Sequence, residues 1–419
     1  MTITATTAQE RMARAKEAAR SVGLLSDAEK ARALGAIADA VDAATAEIVA
    51  ANAEDLARGR ESGLSDGLLD RLRLDDARVH ALASAVRDVA LLPDPVGRVL
   101  DERTLANGVA LQKVSVPFGV VGSIYEARPN VTVDIAALAL RSGNTVVLRG
   151  GTAAQSSNAA LVAVMRGALA SVGVDPEAIQ TVDDFGREGA NALMQARGLV
   201  DVLVPRGSAQ LIETVVTQSS VPVIETGAGV VHIVLDASAP LEWAEQIVVN
   251  AKAQRPSVCN AVETVLVVRS AADRLIPPVV AALEEAGVTI HGDDEVRALV
   301  AGAVPVTDDD WATEHMSLDL SMRVVDDLDD ALAHIRRYST HHTESIITAD
   351  DANAERFLAE VDSAVVMANA STRFTDGGEF GFGAEVGIST QKLHARGPMG
   401  LPELTSTKWL ARGAGQIRA

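Results

Sequence analysis

A chain of 419 residues is longer than one hydrophobic core normally organises, so two domains are expected, with room for a smaller appended element. Hydrophobic residues make up 48% and aromatic residues only 3%, so the core must be built from Ala, Val, Leu and Ile, the composition of α/β layers with buried parallel strands. A formal net charge of -20 excludes the basic footprint that nucleic acid demands and opposes attraction to anionic membranes, so neither is expected as a partner.

The start, MTITATTAQERMARAKEAAR, has no cationic leader followed by an apolar stretch, and no run approaches the roughly 20 apolar residues that span a bilayer. With a lone cysteine, this predicts a cytoplasmic protein. The Thr/Ala-rich residues 2 to 8 are expected to fray. From residue 8 to about 60 the pattern is helical, with Ala31, Leu34, Ile37, Ala38 and Val41 three and four apart and Ser26 suited to a helix start. A second helical tract covers about 75 to 91 and is stopped by Pro93 and Pro95. Residues 99 to 116 then read as a β-hairpin, because Asn107-Gly108 supplies the positive φ angles of a tight turn. Such a ribbon serves either assembly or simply as a sheet edge.

Residues 120 to 124 form a short apolar strand, 132 to 141 a helix closed by Gly143, and 145 to 148 a second strand. Strand, helix, strand at this spacing is a βαβ unit and implies a parallel sheet. Helices at 153 to 172, 187 to 197 and 208 to 218 alternate with strands at 179 to 183, 200 to 204 and 221 to 224. In the turn VPRGSAQ, Gly207 lets backbone approach a ligand and Ser208 with the helix N-terminus offers donors to a phosphate, although a plain strand-to-helix turn has the same sequence. A G-x-G-x-x-G fingerprint is missing from every strand-helix junction, so a dinucleotide site here is of another kind.

The stretch AKAQRPSVCNAVETVLVV, residues 251 to 268, holds the lone Cys259 on a loop before the strand marked by Val262, Thr264, Leu266 and Val268. One thiol closes no intramolecular disulfide, and no Cys or His spacing resembles a zinc site, so no metal is expected. Residue type alone favours a small core hydrophobe. The polar, cationic neighbours Arg255, Ser257 and Asn260 favour a thiolate nucleophile instead. Strands and helices alternate again from 261 to 365, and the glycine-rich stretch 374 to 400 reads as an irregular site-lining loop.

Six motifs in order along the chain carry a resemblance: PFGVVGSIYEARPNVTVD at 117 to 134, SGNTVVLRGG at 142 to 151, VPRGS at 204 to 208, VIETGAG at 223 to 229, QRPSVCNAVET at 254 to 264 and EVGISTQKLHARGPMGL at 385 to 401. On them the chain resembles the aldehyde dehydrogenase superfamily, and more narrowly its branch that reduces a glutamyl acyl phosphate. The resemblance implies an aldehyde dehydrogenase-like α/β fold with two parallel-sheet domains and a small β oligomerisation arm. The implied division is residues 1–98 and 117–227 for the cofactor, 228–388 for catalysis, and 99–116 with 389–419 as arm and C-terminal tail. It also pairs the hairpin with a last strand near 406 to 410, which the residues alone do not show.

The implied reaction is reduction of L-glutamyl 5-phosphate to L-glutamate 5-semialdehyde with NADPH and release of phosphate, in L-proline biosynthesis. Cys259 matches the nucleophile, Asn130 the side-chain oxyanion donor, and Glu225 the glutamate that activates water in aldehyde-oxidising relatives. A helix N-cap is the plain alternative for Asn130. For the cofactor, Arg149 matches the basic position near the adenosine ribose, and Gly150 and Gly151 put no carboxylate beside it in sequence, which favours NADP. Arg206, Gly207 and Ser208 line the phosphate turn, and Glu314 resembles the glutamate that holds the nicotinamide ribose. Arg128, Lys252 and Arg255 are candidates for the substrate anions and Glu126 for its ammonium. A homo-oligomer, dimer or tetramer, is implied, and association with glutamate 5-kinase is allowed. The competing readings are another oxidoreductase of the superfamily, a cysteine hydrolase or acyltransferase pairing Cys259 with His232 or His394, and a dinucleotide-binding protein without catalysis.

Overall fold

The computed structural model describes residues 7–418. Of the start expected to fray, residues 2–6 lie outside the described residues. Thr7 and Ala8 are ordered: the Thr7 side chain accepts from the Glu10 N–H and Glu10 reaches back to the Thr7 N–H, a reciprocal cap on the first helix. Two compact units make up the chain. The first runs to Glu225 and includes residues 382–387 and the stretch from Met399 on; the second is Thr226–Gly381 with Ile388–Pro398.

In the first unit the helical tract is divided into α1 (Ala8–Val22), α2 (Asp27–Ala43) and α3 (Thr45–Glu61), followed by α4 (Asp66–Leu72) and α5 (Asp76–Leu91). The tract breaks at Gly23 because Ser26 and Glu29 form a second reciprocal cap that restarts the chain as a new helix. Helix α4, with seven residues, is too short to show a period in sequence. The hairpin is β1 (Val99–Thr104) and β2 (Ala110–Pro117). Its turn takes positive φ at Gly108 (86°) but not at Asn107, so one glycine rather than the Asn-Gly pair makes the reversal.

The βαβ array follows as β3 (Val120–Tyr125), α6 (Pro129–Arg141), β4 (Thr145–Arg149), α7 (Gln155–Ser171), β5 (Ile179–Thr181), α8 (Gly186–Met194), β6 (Val202–Arg206) and α9 (Ala209–Gln218). Its strands form a parallel sheet in the order β5-β4-β3-β6. Val120, Ile124, Val147 and Leu203 on this sheet pack with Met12 and Ala15 of α1 and Val215 of α9. Residues 221–224 are not the strand expected: one bridge joins Leu203 to Val223, because Pro222 has no N–H to extend the ladder.

The second unit carries β7 (Val231–Leu235), α10 (Leu241–Ala253), β8 (Val262–Val268), α11 (Ala272–Glu285), β9 (Thr289–Gly292), α12 (Asp294–Leu299), β10 (Val304–Pro305), β11 (Asp319–Val325), α13 (Leu328–Tyr338), β12 (Thr343–Ile347), α14 (Asp351–Glu360) and β13 (Val365–Ala368). The strands form one parallel sheet in the order β10-β9-β11-β8-β7-β12-β13. Every residue of β8 is buried, Glu263 and Thr264 included, as befits a central strand covered on both faces.

The glycine-rich stretch is not wholly irregular, since β14 (Gly387–Ser389) and β15 (Gly397–Met399) pair within it. The last strand, β16 (Thr405–Arg412), pairs antiparallel with β2 from Thr405 opposite Pro117 to Arg412 opposite Ala110. The three-stranded ribbon β1-β2-β16 is therefore present, with Leu100 and Trp409 exposed on it. Among the described residues no helix is long and apolar enough to cross a membrane.

Candidate functional site

The candidate residues fall on both units, and each set is built up within its own. In the first unit, β3 ends at Tyr125 and the chain turns tightly, the Arg128 N–H donating to the Glu126 carbonyl at 2.7 Å. Pro129 opens α6, a position where its missing N–H costs nothing. Arg128 is the cap residue and makes no side-chain cap, so Asn130 lies inside the first turn rather than at the N-cap. One turn on, Asp134 accepts a 3.1 Å hydrogen bond from the Asn130 amide. Burial pushes Asp134 up to about 6, against the pull of that bond and of Arg206.

A buried chain of hydrogen bonds ties the start of α6 to the loop after β4. Tyr125 Oη lies 2.6 Å from Thr132 Oγ1, Thr132 donates to Asn158 Oδ1 at 2.8 Å, and Asn158 Nδ2 donates to Asp183 Oδ2 at 3.1 Å. The Thr132 hydroxyl has one proton and gives it to Asn158, so Tyr125 must be the donor to Thr132. Asp183 Oδ1 takes the Gly150 N–H at 2.7 Å. A carboxylate therefore does stand beside Gly150, supplied from far away in sequence. Burial raises Asp183, and both of its oxygens are engaged inside the protein.

Neither glycine of that loop tolerates a side chain. A Cβ on Gly150 would lie 2.1 Å from Asn158 Nδ2, and one on Gly151 would lie 2.8 Å from the Ala127 nitrogen. The half-buried Arg149 that precedes them has a buried Nε with no hydrogen-bond partner. A side chain with an unspent donor beside two close-packed glycines fits a dinucleotide phosphate.

The turn after β6 differs from expectation. Ser208 caps α9, but its hydroxyl donates to Glu126 Oε1 at 2.6 Å. A Cβ on Gly207 would meet Glu126 Cδ at 2.7 Å. The position expected to receive a cofactor phosphate thus holds the carboxylate expected to receive the substrate ammonium, where it suits the positive end of α9. Arg206 donates to the Val386 carbonyl.

In the second unit, Cys259 is half-buried on the loop between α10 and β8. A Cβ on Gly229 would lie 1.6 Å from the Cys259 carbonyl oxygen. The Gly229 N–H donates to Glu314 Oε1 at 2.9 Å, so Glu314, Gly229 and Cys259 form one contiguous group. Burial raises Glu314. Beyond Cys259, the buried Asn260 donates to the Thr375 carbonyl at 2.8 Å, and its own carbonyl accepts from Thr372 Oγ1 at 2.8 Å. Arg373 donates to Asn260 Oδ1 and, through Nε, to Gln254 Oε1 at 2.9 Å.

Lys252, expected to meet a substrate anion, is wholly buried, with Nζ 2.7 Å from Glu263 Oε2 on β8, so its ammonium is matched by a carboxylate out of contact with solvent. Burial pushes Glu263 up to about 7 and Lys252 down, each against the attraction of the other. Arg255 is exposed. Glu225 and Thr226 occupy the irregular stretch where one unit gives way to the next, Glu225 half-buried. Of the histidines weighed as a base, His232 is fully buried with Nδ1 3.0 Å from Glu344, and His394 is exposed. Asp134, Asp183 and Arg373 were not singled out in sequence. Asp134 alone left a signal there, four residues after Asn130 on a helix.

A model of the aldehyde dehydrogenase family matches residues 1–304. The chain belongs to the aldehyde dehydrogenase family. Within that family it is similar to the gamma-glutamyl phosphate reductase of Leifsonia xyli subsp. xyli, 67% identical over 418 residues that cover 100% of this chain and 99% of that protein. The gamma-glutamyl phosphate reductase of Thermobifida fusca is 58% identical over 405 residues, 97% of each chain. The crystal structure of gamma-glutamyl phosphate reductase from Thermotoga maritima matches with a TM-score of 0.96 and 42% identity, over 98% of this chain and 100% of that one. The fold expected of an aldehyde dehydrogenase-family member, with its parallel sheets, is the one observed.

Proposed function

We propose that this chain reduces L-glutamyl 5-phosphate to L-glutamate 5-semialdehyde with NADPH, releasing phosphate, in the biosynthesis of L-proline. Similarity to gamma-glutamyl phosphate reductases along the whole chain supports the substrate. The observation that carries the mechanism is the bracing of the Cys259 loop, with Gly229 under its carbonyl and Asn260 laced to residues 372–375.

In this reading the Cys259 thiolate forms an S–C bond to the acyl carbon, the carbonyl becomes an oxyanion, and its collapse breaks the C–O bond to phosphate and leaves a thioester. Asn130 and the backbone N–H of Cys259 are the proposed oxyanion donors. The Asn130 amide has a second N–H besides the one given to Asp134. Removing one such donor costs roughly 3 kcal/mol of transition-state stabilisation. When bound, the reduced dinucleotide supplies hydride to the thioester carbon. The resulting hemithioacetal breaks at its C–S bond, which frees the aldehyde and returns the electron pair to sulfur. Glu225 has no water to activate in a reductase, since hydrolysis would waste the thioester, and it is retained as a site residue without the role of base.

Arg149, with its unspent Nε, is the proposed contact to the 2′-phosphate that distinguishes NADP, beside Gly150 and Gly151. Asp183 does not oppose this, because both its oxygens are taken by Gly150 and Asn158. Glu314 is proposed to act through Gly229 as well as on the nicotinamide ribose. Arg128 and Arg255 remain for the substrate anions. The ribbon β1-β2-β16, with Leu100 and Trp409 exposed, is the proposed assembly surface of a cytoplasmic dimer or tetramer. The reading is tested by mass spectrometry of the Cys259 peptide after mixing enzyme with acyl phosphate and no cofactor. A glutamyl adduct on Cys259 supports it, and an unmodified peptide with phosphate released catalytically would sink it.

A further inference from the structure

The short turn at Thr372–Phe374 follows β13, more than a hundred residues beyond Cys259, yet it is fastened to the residues on either side of that cysteine. Arg373 Nε holds Gln254 Oε1 at 2.9 Å and its Nη1 donates to Asn260 Oδ1, so one guanidinium bridges the two ends of the Cys259 loop. Asn260 is fixed further by the Thr372 hydroxyl and the Thr375 carbonyl, at 2.8 Å each. Just before the turn, the Ser371 hydroxyl donates to Asn250 Oδ1 of α10 at 2.6 Å. The charges that face Arg373 are Asp376, Arg255, Cys259 and Glu379. Burial opposes its charge, but an arginine stays protonated in a protein. The guanidinium that bridges Gln254 and Asn260 thus carries its charge on the loop that holds the sulfur, where the two groups interact.

We propose that Arg373 is a positioning residue for the nucleophile: it clips Gln254 to Asn260 across the Cys259 loop and holds a fixed positive charge that favours the thiolate. The inference rests on the reading of Cys259 as the nucleophile. Lysine cannot replace it, because a single ammonium does not reproduce a planar fork reaching two acceptors on opposite sides of a loop.

Cys259 is the one cysteine of the chain, so alkylation by iodoacetamide, followed by intact mass across pH, reads that sulfur alone. In the full-length protein, Arg373→Gln is expected to raise the pH midpoint of alkylation by about one unit, the shift an opposite charge at close range produces. Arg373→Lys is expected to keep the midpoint within about 0.3 units of wild type while losing about tenfold or more in kcat, since charge is retained and the bridge is lost. A folded Arg373→Gln protein with an unmoved midpoint would overturn the proposal. Should that variant not fold, Arg373→Lys decides: a shifted midpoint or an unchanged kcat overturns it. Turnover that survives full alkylation of the wild type would instead remove the nucleophile reading itself, whatever Arg373 does to the midpoint.

Discussion

Gly229 stands where any side chain would collide with the backbone of Cys259: a Cβ on it would lie 1.6 Å from the Cys259 carbonyl oxygen. The obstacle is backbone on both sides, so neither residue can yield by changing a rotamer. Gly229→Ala is therefore expected to lower stability by about 1–3 kcal/mol and to reduce kcat/KM by about a hundredfold through displacement of the sulfur. Gly35, inside α2, is the control, because a Cβ there would meet nothing within 4 Å. Gly35→Ala should gain up to about 1 kcal/mol with activity unchanged. Urea unfolding and steady-state kinetics of the pair check both.

The bond from Asn130 to Asp134 ties the proposed oxyanion donor to an unusually weak acid. Burial pushes Asp134 up to about 6, so as pH falls through that value the carboxyl turns neutral and its bond to the Asn130 amide loses the charge that strengthens it. The expected result is a kcat that declines on the acid side with a midpoint near 6, and an inflection that disappears in Asp134→Asn. Stability has the opposite sign. A carboxyl whose folded pKa is raised binds its proton more tightly when folded, so its contribution favours folding at low pH and is lost as pH rises from about 4 to about 6. Urea midpoints at the two ends of that window should separate wild type from Asp134→Asn.

Lys252 and Glu263 form an ion pair with almost no exposed surface. Removing either partner strands a buried charge, and Lys252→Met or Glu263→Gln should each cost about 3–5 kcal/mol. The double variant Lys252→Met/Glu263→Leu should recover most of that loss. It should also keep its KM for the acyl phosphate, because Lys252 faces the interior. A KM raised tenfold in the stable double variant would restore Lys252 to the substrate.

The proposed contact of Arg149 with a 2′-phosphate can be read from cofactor choice. Losing a charge-assisted contact to a 2′-phosphate costs about 1.5–3 kcal/mol, so Arg149→Ala should lower kcat/KM for NADPH about ten- to a hundredfold and leave NADH within about threefold. An unchanged preference between the two would take Arg149 out of that role.

What was legible in the sequence was local. The βαβ spacing from 120 to 148, the hairpin at 99 to 116 and the loop carrying Cys259 all follow from period and turn chemistry over a few tens of residues, and all are observed. The pairing of β16 with β2 came from family resemblance, since no residue pattern joins strands so far apart. Asp183 at Gly150 and Arg373 at Asn260 were invisible because each is delivered by tertiary folding from a distant turn. The Lys252 pairing is hidden for a related reason: a lysine near a candidate nucleophile reads as a ligand contact, and only the fold shows that the neighbouring strand turns Glu263 toward it. At residues 221 to 224 the apolar pattern was real, but Pro222 limited it to a single bridge.

Acyl-phosphate reduction through Cys259, as proposed, can be run backwards. Glutamate semialdehyde, phosphate and NADP+ are mixed with wild type or Cys259→Ala, and absorbance is followed at the reduced nicotinamide band. The expected result is NADPH formation that requires phosphate and vanishes in Cys259→Ala. NADPH formed without phosphate, or undiminished in Cys259→Ala, would rule out an acyl-phosphate reductase with Cys259 as its nucleophile.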